Sequence, residues 1–141
     1  AVQKNPRHPY PHFYLGVLYS DRGQDDLAIV AFRRAVDLQP YLHEALYNLG
    51  TIALRRGEYA RAIELLEQCL EINPDNVEAY NNLGKAYFMA GAPELAGAAF
   101  EEALARDPES EVALENLVML LEAAGDHENA ATFRSRLHGG P

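Results

Sequence analysis

Apolar residues recur along this chain at spacings of three and four, and glycine and proline interrupt the recurrence at regular intervals. The clearest stretch is 78–108. Tyr80, Leu83, Gly84 and Tyr87 stand at i, i+3, i+4 and i+7, the spacing that places side chains on one face of an α-helix. After a break at Gly91, Ala96, Phe100 and Ala103 follow at spacings of four and three. Pro93 suits the first turn of a second helix, where a missing N–H costs nothing, and Pro108 stops that helix. The stretch therefore predicts two short amphipathic helices joined by a glycine turn.

The same pattern occurs four times. A shift of 34 residues superimposes Leu15, Leu49, Leu83 and Leu117, then Gly23, Gly57, Gly91 and Gly125, then Ala28, Ala62, Ala96 and Ala130, and finally Pro6, Pro40, Pro74 and Pro108. A fixed period in this range marks a repeat array, in which each unit buries its apolar face only against its neighbours. The predicted repeats run over 9–42, 43–76, 77–110 and 111–138. Residues 1–8 carry the register of the end of an earlier repeat, since Ala1 falls on Ala35 and Asn5-Pro6 on Asn73-Pro74, so a fragment of a longer protein is expected. Residues 139–141 read as a tail or linker. Asn76 and Ser110 are expected helix caps.

Small residues at contact positions let the paired helices approach. Gly50, Gly84, Ala62 and Ala96 remove bulk, while Leu83, Tyr87 and Phe100 fill the space around them. The fourth repeat departs twice: Val118 replaces the glycine of Gly16, Gly50 and Gly84, and Arg134 replaces Phe32, Leu66 and Phe100. An end repeat needs a polar outer face, which Arg134 fits.

These positions together resemble the tetratricopeptide repeat family: Leu-Gly, a following Tyr, the glycine break, then Ala, Phe, Ala and Pro at a 34-residue period. The usual tryptophan is absent, with His12, Leu46, Tyr80 and Leu114 in its place. The resemblance implies an all-α fold, helix-turn-helix units stacked into a right-handed superhelix (a solenoid), with the first helix of each unit lining the concave face.

Composition narrows the function. The formal charge is −9 and nucleic-acid binding needs a basic surface, so no nucleic-acid partner is expected, nor an anionic membrane surface. No apolar run approaches the roughly 20 residues of a membrane span, and the N-terminus lacks the regions of a signal peptide, so no membrane insertion is expected and a cytoplasmic location is. Cys69 aligns with Ala35 and Ala103 and is expected to be a small buried packing residue. His8, His12, His43, His127 and His138 form no metal-binding spacing and are assigned turn or surface roles. Glu64, Glu67 and Glu71 form a solvated helix edge. No catalytic residue, cofactor or metal site is expected, and the segment is not expected to be an enzyme.

The first helices carry a second face that varies while the core stripe holds. The expected partner-binding set is Phe13, Val17, Glu44, Tyr47, Asn48, Thr51, Glu78, Asn81, Asn82, Lys85, Phe88, Glu115, Asn116 and Met119. It is more apolar than a merely solvated face, with Met89 and Leu54 at its flank divided between binding and packing. Asn48, Asn82 and Asn116 recur in register. The superhelical arm of O-linked N-acetylglucosamine transferase looks similar, and the resemblance implies an amide ladder that pairs with an extended peptide backbone. The Lys/Asn/Arg clamp of chaperone-tail-binding members is not matched: Phe13, Val17, Glu78 and Asn82 stand at its places, and only Asn48 agrees. The first reading is a protein-interaction scaffold that holds a peptide or amphipathic helix in a concave groove. The others are a substrate-recognition arm of a multidomain enzyme such as an O-linked glycosyltransferase, and a self-association module forming a homo-oligomer.

Overall fold

The computed structural model describes residues 9–138. These form eight helices: α1 (Pro9–Asp21), α2 (Asp25–Leu38), α3 (His43–Arg55), α4 (Tyr59–Ile72), α5 (Val77–Met89), α6 (Pro93–Arg106), α7 (Glu111–Ala123) and α8 (His127–Leu137). No strand occurs among the described residues. The expected repeat tail at 1–8 and the tail or linker at 139–141 lie outside the described residues. Two compact units divide after Pro74, the first holding α1–α4 and the second α5–α8.

Each unit is built from two helix pairs. In the first, α1 packs on α2, α2 on α3 and α3 on α4. Ala28, Phe32, Ala35, Leu46, Leu49, Ile52, Ala62, Leu66 and Cys69 are buried there, so Cys69 is the packing residue its register implies. In the second, α5 packs on α6, α6 on α7 and α7 on α8. Ala96, Phe100, Leu117 and Leu120 form its buried cluster, with Tyr87, Phe88, Leu104 and Phe133 packed against it.

Helix ends follow from local chemistry. The Asn76 side chain accepts from the Ala79 N–H at 3.0 Å, and the Ser110 hydroxyl accepts from the Ala113 N–H at 3.2 Å. Asp126 caps α8 in the same way, through the Asn129 N–H. Within each pair the turn hinges on a glycine with φ of 72°, 78°, 87° or 80°, at Gly23, Gly57, Gly91 and Gly125. At Gly91 the Ala92 N–H reaches back to the Tyr87 carbonyl at 2.9 Å, the long-range bond of a Schellman motif. Gln24, Glu58 and Asp126 make the same bond in the other turns.

The helix pairs close on a glycine set against a large side chain. A Cβ built on Gly16 would lie 2.6 Å from Phe32 Cε1, and one on Gly50 would lie 2.7 Å from Leu66 Cγ. Gly84 meets the Phe100 ring in the same way. The fourth pair changes both members together. With Arg134 in place of the ring, the position of Val118 is open to a side chain, and the arginine extends to Glu122. Of α8 only Ala130 is buried, so this helix presents a largely polar exterior.

One expectation is corrected. His12 is buried, 3% exposed, instead of lying in a turn or on the surface. It holds the stripe position of Leu46, Tyr80 and Leu114, and helical geometry turns that position inward whatever residue occupies it.

Candidate functional site: the outer faces of the first helices

In the first unit the expected face lies on α1 and α3. Glu44 is exposed, and Tyr47, Asn48 and Thr51 are half-buried. Asn48 donates its side-chain amide to the Glu44 carbonyl at 2.9 Å, and the Thr51 hydroxyl donates to the Tyr47 carbonyl at 2.9 Å. Both polar groups are thus engaged with their own helix. Phe13 serves packing: its ring lies 5.8 Å from that of Phe32 and meets Tyr14 edge-on at 5.4 Å. Val17 and Leu54 are half-buried. At the end of α3, Arg55 and Arg56 donate to Asp25 and Asp26 at 2.6 and 3.1 Å, tying it to the start of α2.

In the second unit the face lies on α5 and α7. Glu78, Lys85 and Glu115 are exposed, and Asn82 is half-buried. Met89 and Met119 are 55% and 41% exposed, with Val112 at 49% on the same stripe of α7 as Glu115 and Met119. Met89 is therefore exposed and not packed away between helices. Lys85 has no carboxylate within ion-pair distance among the described residues. Phe88 is half-buried and packs against the core cluster.

Two expected face residues are placed elsewhere. Asn81 and Asn116 are 3% and 7% exposed, and the Asn116 amide donates to the Asn81 side-chain oxygen at 3.5 Å. A buried amide without a partner is costly, so the two asparagines satisfy each other between α5 and α7. The register that groups Asn116 with Asn48 and Asn82 does not carry a common exposure: Asn48 and Asn82 are half-buried and Asn116 is buried.

The electrostatics of α7 gather at its end. Glu122 accepts from Arg134 Nη2 at 2.9 Å and lies 2.7 Å from His127 Nδ1. The hydrogen bond from Arg134, then that from His127, holds the Glu122 carboxyl below its usual range. In α6, Arg106 bonds Glu102 at 2.6 Å and lies 4.4 Å over the Tyr80 ring, which joins α6 to α5. Among the described residues no group of three or more His, Cys, Asp and Glu is placed to hold a metal ion. No described helix is long and apolar enough to cross a membrane.

Sequence reasoning passed over two exposed apolar residues on α1, Tyr14 at 65% and Leu18 at 45%. A signal was present: Tyr14 stands where the other three repeats have asparagine.

Tandem helix pairs closed by a glycine against a large side chain, with the first helices displaying a variable face, define a helical repeat protein. The chain belongs to the tetratricopeptide repeat family, whose models match residues 12–41 and 47–111. A crystal structure of MamA aligns with a TM-score of 0.92 at 25% identity, over 98% of this chain and 81% of that one. MamA from Desulfovibrio magneticus RS-1 gives a TM-score of 0.92 at 25% identity, over 98% and 78%. PilF of Pseudomonas aeruginosa, at 19% identity and a TM-score of 0.89, shares the fold over 99% of this chain and 64% of its own. Comparison with curated proteins returned no match.

Proposed function

We propose that this chain is a protein-interaction scaffold that takes a peptide or an amphipathic helix of a partner protein on the faces of its first helices. The observation that carries the reading is the α5/α7 surface, where Met89 and Met119 are exposed and Lys85, one helical turn before Met89, has no carboxylate within ion-pair distance among the described residues. Methionine adapts its shape to varied apolar side chains. Lys85 attracts a carboxylate, and Glu78 and Glu115 repel acidic residues elsewhere along the same face. The occupant is therefore an apolar segment with one acidic residue placed near Lys85. In the first unit, Glu44, Tyr47, Asn48 and Thr51 offer an aromatic ring among polar groups. Membership of the tetratricopeptide repeat family supports a scaffold role. The amide ladder behind the glycosyltransferase-arm reading is interrupted at Asn116, which is buried against Asn81.

The test is partner capture followed by mass spectrometry. Lys85→Glu with Met119→Ala should abolish recovery of the partner and leave the helical circular dichroism unchanged. A control pair on α4, Glu64→Ala with Glu67→Ala, should leave recovery intact. Equal recovery by the Lys85/Met119 variant would move the binding site away from this face.

A further inference from the structure

Sulfur is divided sharply between the core and the surface. The sequence holds three sulfur-bearing side chains, Cys69, Met89 and Met119, and no tryptophan. Cys69 is fully buried, whereas both thioethers are exposed. Methionine is ordinarily among the residues found inside. Here the buried apolar positions are filled by alanine, leucine, isoleucine, phenylalanine and Cys69, and by methionine at none. Both methionines instead stand with Lys85 on one surface of the second unit. Met89 follows Lys85 by one turn on α5, and Met119 holds the register of Lys85 on α7, which contacts α5.

Methionine's flexibility suits a docking surface. Leucine has similar bulk, however, and the thioether adds a chemistry that leucine lacks. A thioether is oxidised to a sulfoxide, which turns a flexible apolar side chain into a polar one, and the change is reversed by methionine sulfoxide reductases.

We infer that Met89 and Met119 form a redox-modification site, at which a peroxide converts both thioethers to sulfoxides and so releases the partner. The site rests on the scaffold role proposed above, because the same surface receives the partner. In the reaction with hydrogen peroxide a lone pair on Sδ attacks one peroxide oxygen. The S–O bond forms as the O–O bond breaks, sulfur gives up two electrons, and the second oxygen leaves as water after taking the proton of the transferred one. The new oxygen is a strong acceptor. Set against an apolar side chain of the partner, it would lose its water and gain no donor. At Met89 it also lies within the i, i+4 reach of Lys85, where it competes with the partner's carboxylate for the ammonium. Burial shields the Cys69 thiol from the same oxidant.

The test uses the full chain and a fluorescein-labelled peptide selected on it by phage display, kept as the probe only if Lys85→Glu abolishes its anisotropy signal. Hydrogen peroxide is then titrated onto the chain and the products are mapped by mass spectrometry. Met89 and Met119 should each gain one oxygen, Cys69 none, and the circular dichroism should not change. Affinity for the probe should fall at least about tenfold, and methionine sulfoxide reductases with dithiothreitol should restore it. Cys69→Ala should lose affinity on oxidation as the native chain does. Met89→Leu with Met119→Leu should have the same affinity before and after peroxide, whatever its starting value; if this variant does not hold the probe, recovery with the reductases decides alone. Thioethers left intact by peroxide, a probe that stays bound when both sulfoxides have formed, or a loss that persists in the leucine variant would each overturn the redox site and leave the scaffold role standing. Failure to select any Lys85-dependent probe would overturn both.

Discussion

The contact between Gly84 and Phe100 carries a quantitative test of how each helix pair closes. Phe100 is fully buried, so Phe100→Ala removes a ring and leaves a cavity, at about 3–5 kcal/mol. Gly84→Val drives its side chain into that ring. Overpacking costs about 1–3 kcal/mol. The loss of a helix-interior glycine offsets it by a few tenths, because valine's own helix propensity lies only ~0.4 kcal/mol above glycine's. Combining the two places the valine in the space the ring has left. The double variant should therefore be more stable than the sum of the single effects allows, by at least about 1 kcal/mol. Urea denaturation followed by far-UV circular dichroism measures the cycle. Hydrogen exchange at α5 and α6 amides checks that the loss is local, since repeat arrays depart from all-or-none unfolding. Additivity within about 0.5 kcal/mol would refute the steric account, because it would mean that the two residues do not share a volume. The fourth repeat already contains a natural version of the double change, Val118 with Arg134.

Three further outcomes follow from single groups. Asn76→Ala and Ser110→Ala each remove a side chain that caps a helix, and each should lower stability by about 1 kcal/mol in a denaturant titration. Glu122 is held ionised by Arg134 and His127, so its folded-state pKa lies below its unfolded value. Its contribution is complete above the ordinary glutamate range and is lost as pH falls through the lowered value; carboxyl carbon NMR should place the midpoint low, and Arg134→Gln should move it up. Asn116→Ala should destabilise by about 1–3 kcal/mol by stranding the Asn81 oxygen, and recovery of a partner should change no more than this loss of folded chain accounts for.

The fold was legible because its determinants are repeated in register. Each glycine with positive φ, each capping residue before a first helix and each small-against-large contact occurs at corresponding places, and one glance at the 34-residue shift exposes them together. His12 shows where residue type misled. Judged as a histidine it belongs on the surface; judged by its place beside Leu46, Tyr80 and Leu114 it belongs inside, and position prevailed because the helix has already set the side chain's direction.

The candidate face was less legible, for a geometric reason. A shift of 34 residues aligns equivalent positions, but neighbouring helices touch at other offsets. Asn116 bonds Asn81 at a separation of 35, and Arg55 and Arg56 reach Asp25 and Asp26 at a separation of 30. Whether an outward-looking residue is free or engaged thus depends on what stands one helix away, at an offset the repeat does not display. The three register-related asparagines differ in their surroundings for this reason: Asn48 bonds within its own helix, whereas Asn116 finds a second amide across the helix contact. The same reasoning applies to α1. Leu18 carries the residue type of a buried stripe, yet it is 45% exposed where Ile52 is 1% and Leu120 8%, since α2 packs on α3 and α6 on α7.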